Sequence, residues 1–324
     1  MRHIFSCISA LLLILVAASG CDKKTTSRAS EGITTVVCDE SFANIMAQEI
    51  DVFEYIYPNS NVIPYYVDEH AAYDSLLDLK TKVIVGMRKL TDKEVAYLKD
   101  QKRQVRQSPI AVDAIALIVN PANSIEQIST TELAEILSGK ISTWDQIWPT
   151  KGLDSIRVVF DHQGSSTVDF MRDSLLNGAQ LQGNIFAQKS NDDVFKAVVA
   201  NKNALGVIGV SWISSDMSSR EMTREERVAA LENQADTIDN SFRPEVKVLK
   251  VSKPDEVKAY APYQYYIYTG DYPLHRTLYM ICTGAGGTLS HGFYTFVTSF
   301  RGQKIIQSTG VLPHIIYTQN VELK

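Results

Sequence analysis

Cysteine is scarce in this chain, and positive charge is not in excess. The four cysteines, Cys7, Cys21, Cys38 and Cys282, are too few for a disulfide scaffold. Lysine and arginine number 32 against 37 aspartates and glutamates, a formal charge of −5 over 324 residues. Broad nucleic-acid binding needs clustered cations and finds no support here. The six histidines, His3, His70, His162, His275, His291 and His314, are scattered. No His-Glu-x-x-His and no Cys/His cluster occurs, so neither a metal site nor a cofactor is expected. No Gly-Lys-Ser or Gly-Lys-Thr is present, which excludes a nucleotide-type phosphate loop. Leu289-Ser290-His291-Gly292 is not a Gly-x-Ser-x-Gly nucleophile elbow and reads as a helix cap instead. No repeat of solenoid period is found. With 45% hydrophobic and 21% charged residues, the chain is neither disordered, collagen-like nor coiled coil. Its length allows one large domain or two modest ones.

The N-terminus differs from the rest. Arg2 and His3 precede an apolar run from Ile8 to Ala18, interrupted only by Ser9. That run is short of the ~20 apolar residues of a membrane-spanning helix. A basic end, a short apolar stretch and small residues describe a secretory signal. The segment Leu15-Val16-Ala17-Ala18-Ser19-Gly20-Cys21 resembles a bacterial lipoprotein signal. That resemblance implies cleavage of residues 1–20 and lipid on Cys21. Removing Arg2 makes the mature chain more acidic. Residues 21–32, rich in Lys, Thr and Ser, read as a flexible tether. Cys38 and Cys282 have the choice of pairing in an oxidising envelope or lying as buried thiols on strands; free thiols are expected.

Beyond the tether, β-branched runs alternate with helical spacing. Ile33–Cys38, Asn61–Val67, Lys82–Met87 and Ile110–Asn120 read as strands, with helices between them. Thr91-Asp92-Lys93-Glu94 has capping-box spacing, and Asp39 or Ser41 is placed to cap the first helix. This order predicts parallel sheet flanked by helices. Strands are also expected at Ile156–Phe160, Ala204–Val210, Val246–Val251 and Leu278–Cys282. Helices are expected at Thr130–Ser138, Val168–Leu176, Asp192–Ala200 and Ser290–Phe300. The tyrosine-rich stretch 263–272 reads as a partly buried hinge strand. Asp113 is a lone charge inside an otherwise apolar strand.

The segment with most chemical content is Gly164-Ser165-Ser166-Thr167, between a strand and a helix. A helix N-terminus offers unpaired N–H groups and partial positive charge. Small hydroxyl residues there add donors without blocking approach, which makes an anion cradle. Plain N-capping accounts for these four residues taken alone.

Other segments join the loop in a fixed order. They are Asp39-Glu40-Ser41-Phe42, Val85-Gly86-Met87-Arg88-Lys89-Leu90-Thr91, Ala111–Asn120, Glu132–Gly139 with Trp144, Ala204–Gly209, Tyr272-Pro273-Leu274 and Phe300–Ile306 with Gly310-Val311-Leu312-Pro313. Together they resemble the phosphate-binding proteins of ABC transporters, in the periplasmic-binding-protein superfamily. The resemblance covers residues 33–315. It implies an α/β fold of two lobes, each a mainly parallel sheet flanked by helices, with the ligand between them. Lobe I would span 33–119, lobe II 120–260, and 261–324 would return to complete lobe I. It also implies a non-enzymatic, monomeric receptor, lipid-anchored on the periplasmic side, that passes phosphate to an ABC permease.

The implied ligand set is Ser41, the Phe42 N–H, Arg88, and Gly164, Ser165, Ser166 and Thr167. Three departures stand out: Asp161 where the family often has arginine, Ser166 for the loop's second glycine, and Asp68-Glu69-His70 where a Gly-Ser-Gly turn is usual. Asp39 or Asp68 is placed to accept the proton of a protonated oxyanion, which would disfavour sulfate. Two alternatives stay open at this level: an envelope anion sensor, and a hydrolase or transferase using Ser165 with His162.

Overall fold

The β-branched run that follows the tether forms a strand at the middle of one half of a sheet, and the alternation continues from there. The structure is a computed structural model, and it describes residues 29–150, 152–214, 223–232 and 241–316. The leader, Cys21 and most of the tether lie outside the described residues. No helix among the described residues is long and apolar enough to cross a membrane.

In chain order the elements are β1 (Gly32–Cys38), α1 (Ala43–Ile56), β2 (Ser60–Tyr66), α2 (Glu69–Leu77), β3 (Val83–Gly86), α3 (Asp92–Asp100) and β4 (Arg106–Val119). Next come β5 (Gln127–Ser129), α4 (Thr130–Leu137), β6 (Arg157–Phe160), α5 (Ser166–Leu175), β7 (Ile185–Ala187), α6 (Asn191–Ala200) and β8 (Ala204–Gly209). The last are α7 (Arg224–Glu232), β9 (Lys247–Val248), β10 (Lys250–Ser252), β11 (Ala259–Tyr260), α8 (Gln264–Tyr268), β12 (His275–Cys282), α9 (Leu289–Val297), α10 (Phe300–Ser308) and β13 (Leu312–Pro313).

The main sheet runs β2-β1-β3-β12-β4-β8-β6-β7. Strands β1, β2 and β3 are mutually parallel, as are β6, β7 and β8. Between these parallel sets, β12 and β4 run antiparallel to their neighbours. The long strand β4 joins the halves. Its residues up to Ala114 pair with β12, and Ile115–Val119 pair with β8. From Ala114 to Val119 every residue is fully buried, as expected for a strand covered on both faces. The segment after residue 260 therefore returns to the first half through β12. Cys38 on β1 and Cys282 on β12 are both buried free thiols.

Local expectations fail in four places. The strand expected over Val246–Val251 is two short strands, β9 paired with β4 and β10 paired with β5. Tyr263–Tyr268 is not a strand: Tyr263 is the N-cap of the short helix α8, and Tyr263 and Tyr266 pack on Phe242 and Tyr260 at 4.9 and 4.7 Å between ring centres. Contacts between rings on one face outweigh the β preference of tyrosine. The expected helix over 290–300 is two helices, α9 and α10. A Cβ on Gly302 would lie 2.4 Å from the Val297 carbonyl oxygen, so the tight junction needs glycine there. Thr288, not Ser290, is the N-cap of α9.

Within α1, Glu49 is fully buried and neither carboxylate oxygen has a hydrogen-bond partner. Burial pushes its carboxyl well above the usual range. The protonated form is the one that fits. No ionisation penalty exists below the unfolded-state value near pH 4, and stability is lost as pH rises through the raised folded value. Glu49→Met should therefore raise Tm by on the order of 3 °C at pH 8 and leave it nearly unchanged at pH 4. Thermal melts at the two pH values check this; equal shifts at both would contradict it.

Candidate functional site

Strand β6 ends at Phe160, and the chain turns through Asp161 to Gly164 before entering α5. Gly164 has φ +86°, a left-handed conformation that glycine adopts without strain. Ser165 is the N-cap: its Oγ accepts the Val168 N–H at 3.3 Å and its hydroxyl donates to Asp161. The helix begins at Ser166, two residues earlier than the apolar spacing predicts, because Ser165 caps it. In the other half of the sheet, β1 ends at Cys38 and Asp39 caps a 3-10 turn, Glu40–Phe42.

These two strand ends meet. Asp39 accepts the Ser41 N–H at 2.8 Å with one oxygen and the Ser166 N–H at 3.1 Å with the other. The Ser41 hydroxyl donates to Asp161 at 3.0 Å and lies 3.2 Å from the Thr167 hydroxyl. Asn191, at the start of α6, donates its amide to Glu40 at 2.7 Å and to Asp161 at 3.3 Å. The Trp212 ring N–H donates to the Ser41 carbonyl at 2.9 Å. Asp39, Phe42, Asp161, Ser165, Ser166, Thr167 and Asn191 are all fully buried. Burial raises the Asp161 carboxyl, opposed by the Ser165 hydroxyl and reinforced by the charge of Asp39. Burial likewise raises Glu40.

The structure places the expected ligand residues in two groups. Ser41, Phe42, Asp39, Ser165, Ser166 and Thr167 converge, although the Phe42 N–H is bonded to the Asp39 carbonyl at 3.0 Å. Asp68 stands at the rim, half-exposed, with an oxygen 3.2 Å from His162 Nε2 and close to Gly164. Arg88 has a local partner of its own. Its guanidinium forms a two-pronged pair with Glu94 at 2.8 and 2.9 Å and stacks on the Tyr73 ring. That bond holds the Glu94 carboxyl down to about 2. Glu94 belongs to the Thr91 capping box, so a local partner has captured Arg88.

The arginine at the loop is Arg276, on β12. It donates to Ser166 Oγ at 3.1 Å, lies over the Phe42 ring at 4.7 Å, and pairs with Asp113 at 3.0–3.1 Å. Both charges are almost completely buried, and the two residues are cross-strand partners in the β4–β12 register. Burial raises the Asp113 carboxyl, while Arg276 pulls it down. Asp113, the lone charge of the run Ile110–Asn120, was the signal on one side of this pair; Arg276 carried none of its own. The alternative catalytic pair is not formed: Ser165 is engaged by Asp161 and Val168, and His162 faces Asp68.

A model of the PBP superfamily domain matches residues 23–301. The chain belongs to the PBP superfamily. It is 27% identical over 164 residues to the phosphate-binding protein PstS of Staphylococcus aureus (strain bovine RF122 / ET3-1), a match spanning 48% of each chain. It is 21% identical over 301 residues to PstS of Pseudomonas aeruginosa, spanning 87% of this chain and 83% of that one. Among solved structures, a putative phosphate ABC transporter substrate-binding protein with bound phosphate from Clostridium perfringens superposes with TM-score 0.64 at 19% identity, covering 87% of this chain and 99% of that one. An ABC-type phosphate transport receptor from Vibrio cholerae gives TM-score 0.58 at 19% identity, with the same coverage. These structural likenesses establish the two-lobed α/β fold of the superfamily member. The relatives are named as binding proteins and receptors, not as enzymes.

Breaking one partner of the Asp113–Arg276 pair leaves a buried charge alone. Asp113→Ala should cost about 3–5 kcal/mol of stability, and the double change Asp113→Leu with Arg276→Met should cost less than that single change. Urea unfolding of both variants checks this; a loss below ~1 kcal/mol in Asp113→Ala would contradict the pairing.

Proposed function

We propose that this chain is a lipid-anchored extracytoplasmic receptor that binds phosphate, or a similar oxyanion, between two lobes and delivers it to an ABC importer. The observation that carries the reading is the set of donors at the α5 N-terminus. The Ser166 N–H and the hydroxyls of Ser41, Ser165 and Thr167 converge in a fully buried place, with Arg276 bonded to Ser166. Short donors at a helix N-terminus suit an oxyanion, and the buried oxygens of Asp39 and Asp161 now accept from this same set. The naming of both relatives as phosphate-binding proteins supports phosphate as the anion.

Lobe I comprises residues 33–119 with 261–324, and lobe II residues 120–260. The anion bound at the α5 loop of lobe II stabilises closure through its added contacts with Ser41 and Arg276 of lobe I. Asp39 and Asp68 are the carboxylates placed to accept a proton from the ligand, which favours a protonated oxyanion over sulfate. The small-residue segment ending at Cys21 supplies the anchor that keeps the receptor beside its permease. The lipoprotein signal, the periplasmic side and the monomeric state belong to this same reading.

Calorimetric titration of the full chain with inorganic phosphate, and with sulfate for comparison, tests it. Phosphate should bind one per chain and more tightly than sulfate. Ser41→Ala and Thr167→Val should each weaken phosphate by about 1–1.5 kcal/mol, roughly five- to tenfold. Arg88→Ala should change affinity by less than about twofold, because Glu94 already holds that guanidinium. Phosphate giving neither heat nor a thermal shift would refute the reading.

A further inference from the structure

Beside the anion loop, one side-chain group has the makings of a different site. Glu40, Asp161 and His162 each present a ligand-type atom, and the three atoms all lie within 4.8 Å of one another. Bonds from carboxylate oxygen or imidazole nitrogen to a divalent ion run ~2.0–2.4 Å, so an inward movement of at most about 0.4 Å lets one ion at the centre reach all three. Asp161 is fully buried, while Glu40 and His162 are partly open to solvent, which makes a floor and an entrance.

Two further observations point to a cation here. His162 is oriented from outside the group: its Nε2 lies 3.2 Å from Asp68, which leaves Nδ1 as the ligating nitrogen. Metal-bound histidines are commonly held this way by a carboxylate. Asn191 is fully buried, and its amide nitrogen touches both Glu40 and Asp161. The oxygen of that same amide has no hydrogen-bond partner. A buried acceptor without a donor is rare, and this one belongs to the residue whose amide nitrogen bridges the two carboxylates. The local charge agrees: Asp39, Glu40 and Asp161 crowd together, while the nearby Arg276 is already paired with Asp113.

We propose that Glu40, Asp161 and His162 bind a divalent transition-metal ion, with the Asn191 amide nitrogen holding the two carboxylates in place. Two carboxylates and one imidazole suit the range from Mn²⁺ to Zn²⁺. Asp161 keeps acceptor capacity for it, since its Oδ1 takes only the Ser165 hydroxyl among its described bonds. The ion places positive charge at position 161, at the threshold of the loop. This site stands on its own geometry and does not depend on which anion the loop takes.

The test uses the full chain, stripped with a chelator and kept free of phosphate. Titration with Co²⁺, followed by visible absorption, and with Zn²⁺, followed by calorimetry, should show one ion per chain. Glu40→Gln and His162→Gln should each weaken binding at least tenfold, with the metal-free melting temperatures unchanged. Absence of stoichiometric binding of either ion, or unchanged affinity in both variants, overturns the proposal. Because phosphate is absent from this experiment, its outcome is separate from that of the phosphate titration.

Discussion

Two buried carboxylates tie the ends of two strands from opposite halves of the sheet. Asp39 accepts backbone N–H groups from both sides, at Ser41 and at Ser166. Asp161 accepts from Ser165 and Asn191 on its own side and from Ser41 across the junction. A carboxylate out of water is tolerated only when its oxygens are well supplied with donors. The capping of the 3-10 turn by Asp39 and of α5 by Ser165, and the course of the loop through Gly164, all serve that supply. In the proposed receptor the ligand draws on the same hydroxyls and N–H groups. Binding in that proposal redistributes hydrogen bonds that already exist, with lobe closure as the proposed means.

Charge constrains the account further. The chain is acidic overall, and the surroundings of the loop are acidic too, through Asp39, Glu40, Asp161, Asp68 and Glu69. Glu69 accepts the Met87 N–H at 2.7 Å, and burial raises its carboxyl. The arginine at the loop is Arg276, whose charge is shared with Asp113. An anion is not drawn in by a bulk positive field. Selection has to come from oriented dipoles, short hydroxyl donors and local cations, which act only at contact distance.

The sequence was most informative where structure is local. The run Ile110–Asn120 announced a buried strand by its apolarity. Thr91 and Glu94 announced a capping box by their spacing. Gly164–Thr167 announced a helix entrance by its residue types. Arg276 was not legible, because its role depends on the register of β12 against β4, which sets it opposite Asp113, 163 positions away in the chain. The partner of Arg88 was likewise unread: a glutamate six positions on holds its guanidinium. Asn191 stands one residue before the expected helix Asp192–Ala200, and only the approach of α6 to the Glu40 turn gives it a task. The tyrosines of α8 carry β-forming side chains, yet their packing on Phe242 and Tyr260 favoured a helix.

The central claim is that the buried donors around Ser41 and Ser166 hold a small oxyanion. Native mass spectrometry of the full chain, purified from cell envelopes without added phosphate, tests it most directly. The account predicts a single retained ligand with the mass of phosphate, released when the protein is unfolded. A chain that carries no such ligand, or one that retains a neutral or cationic small molecule in its place, would contradict it.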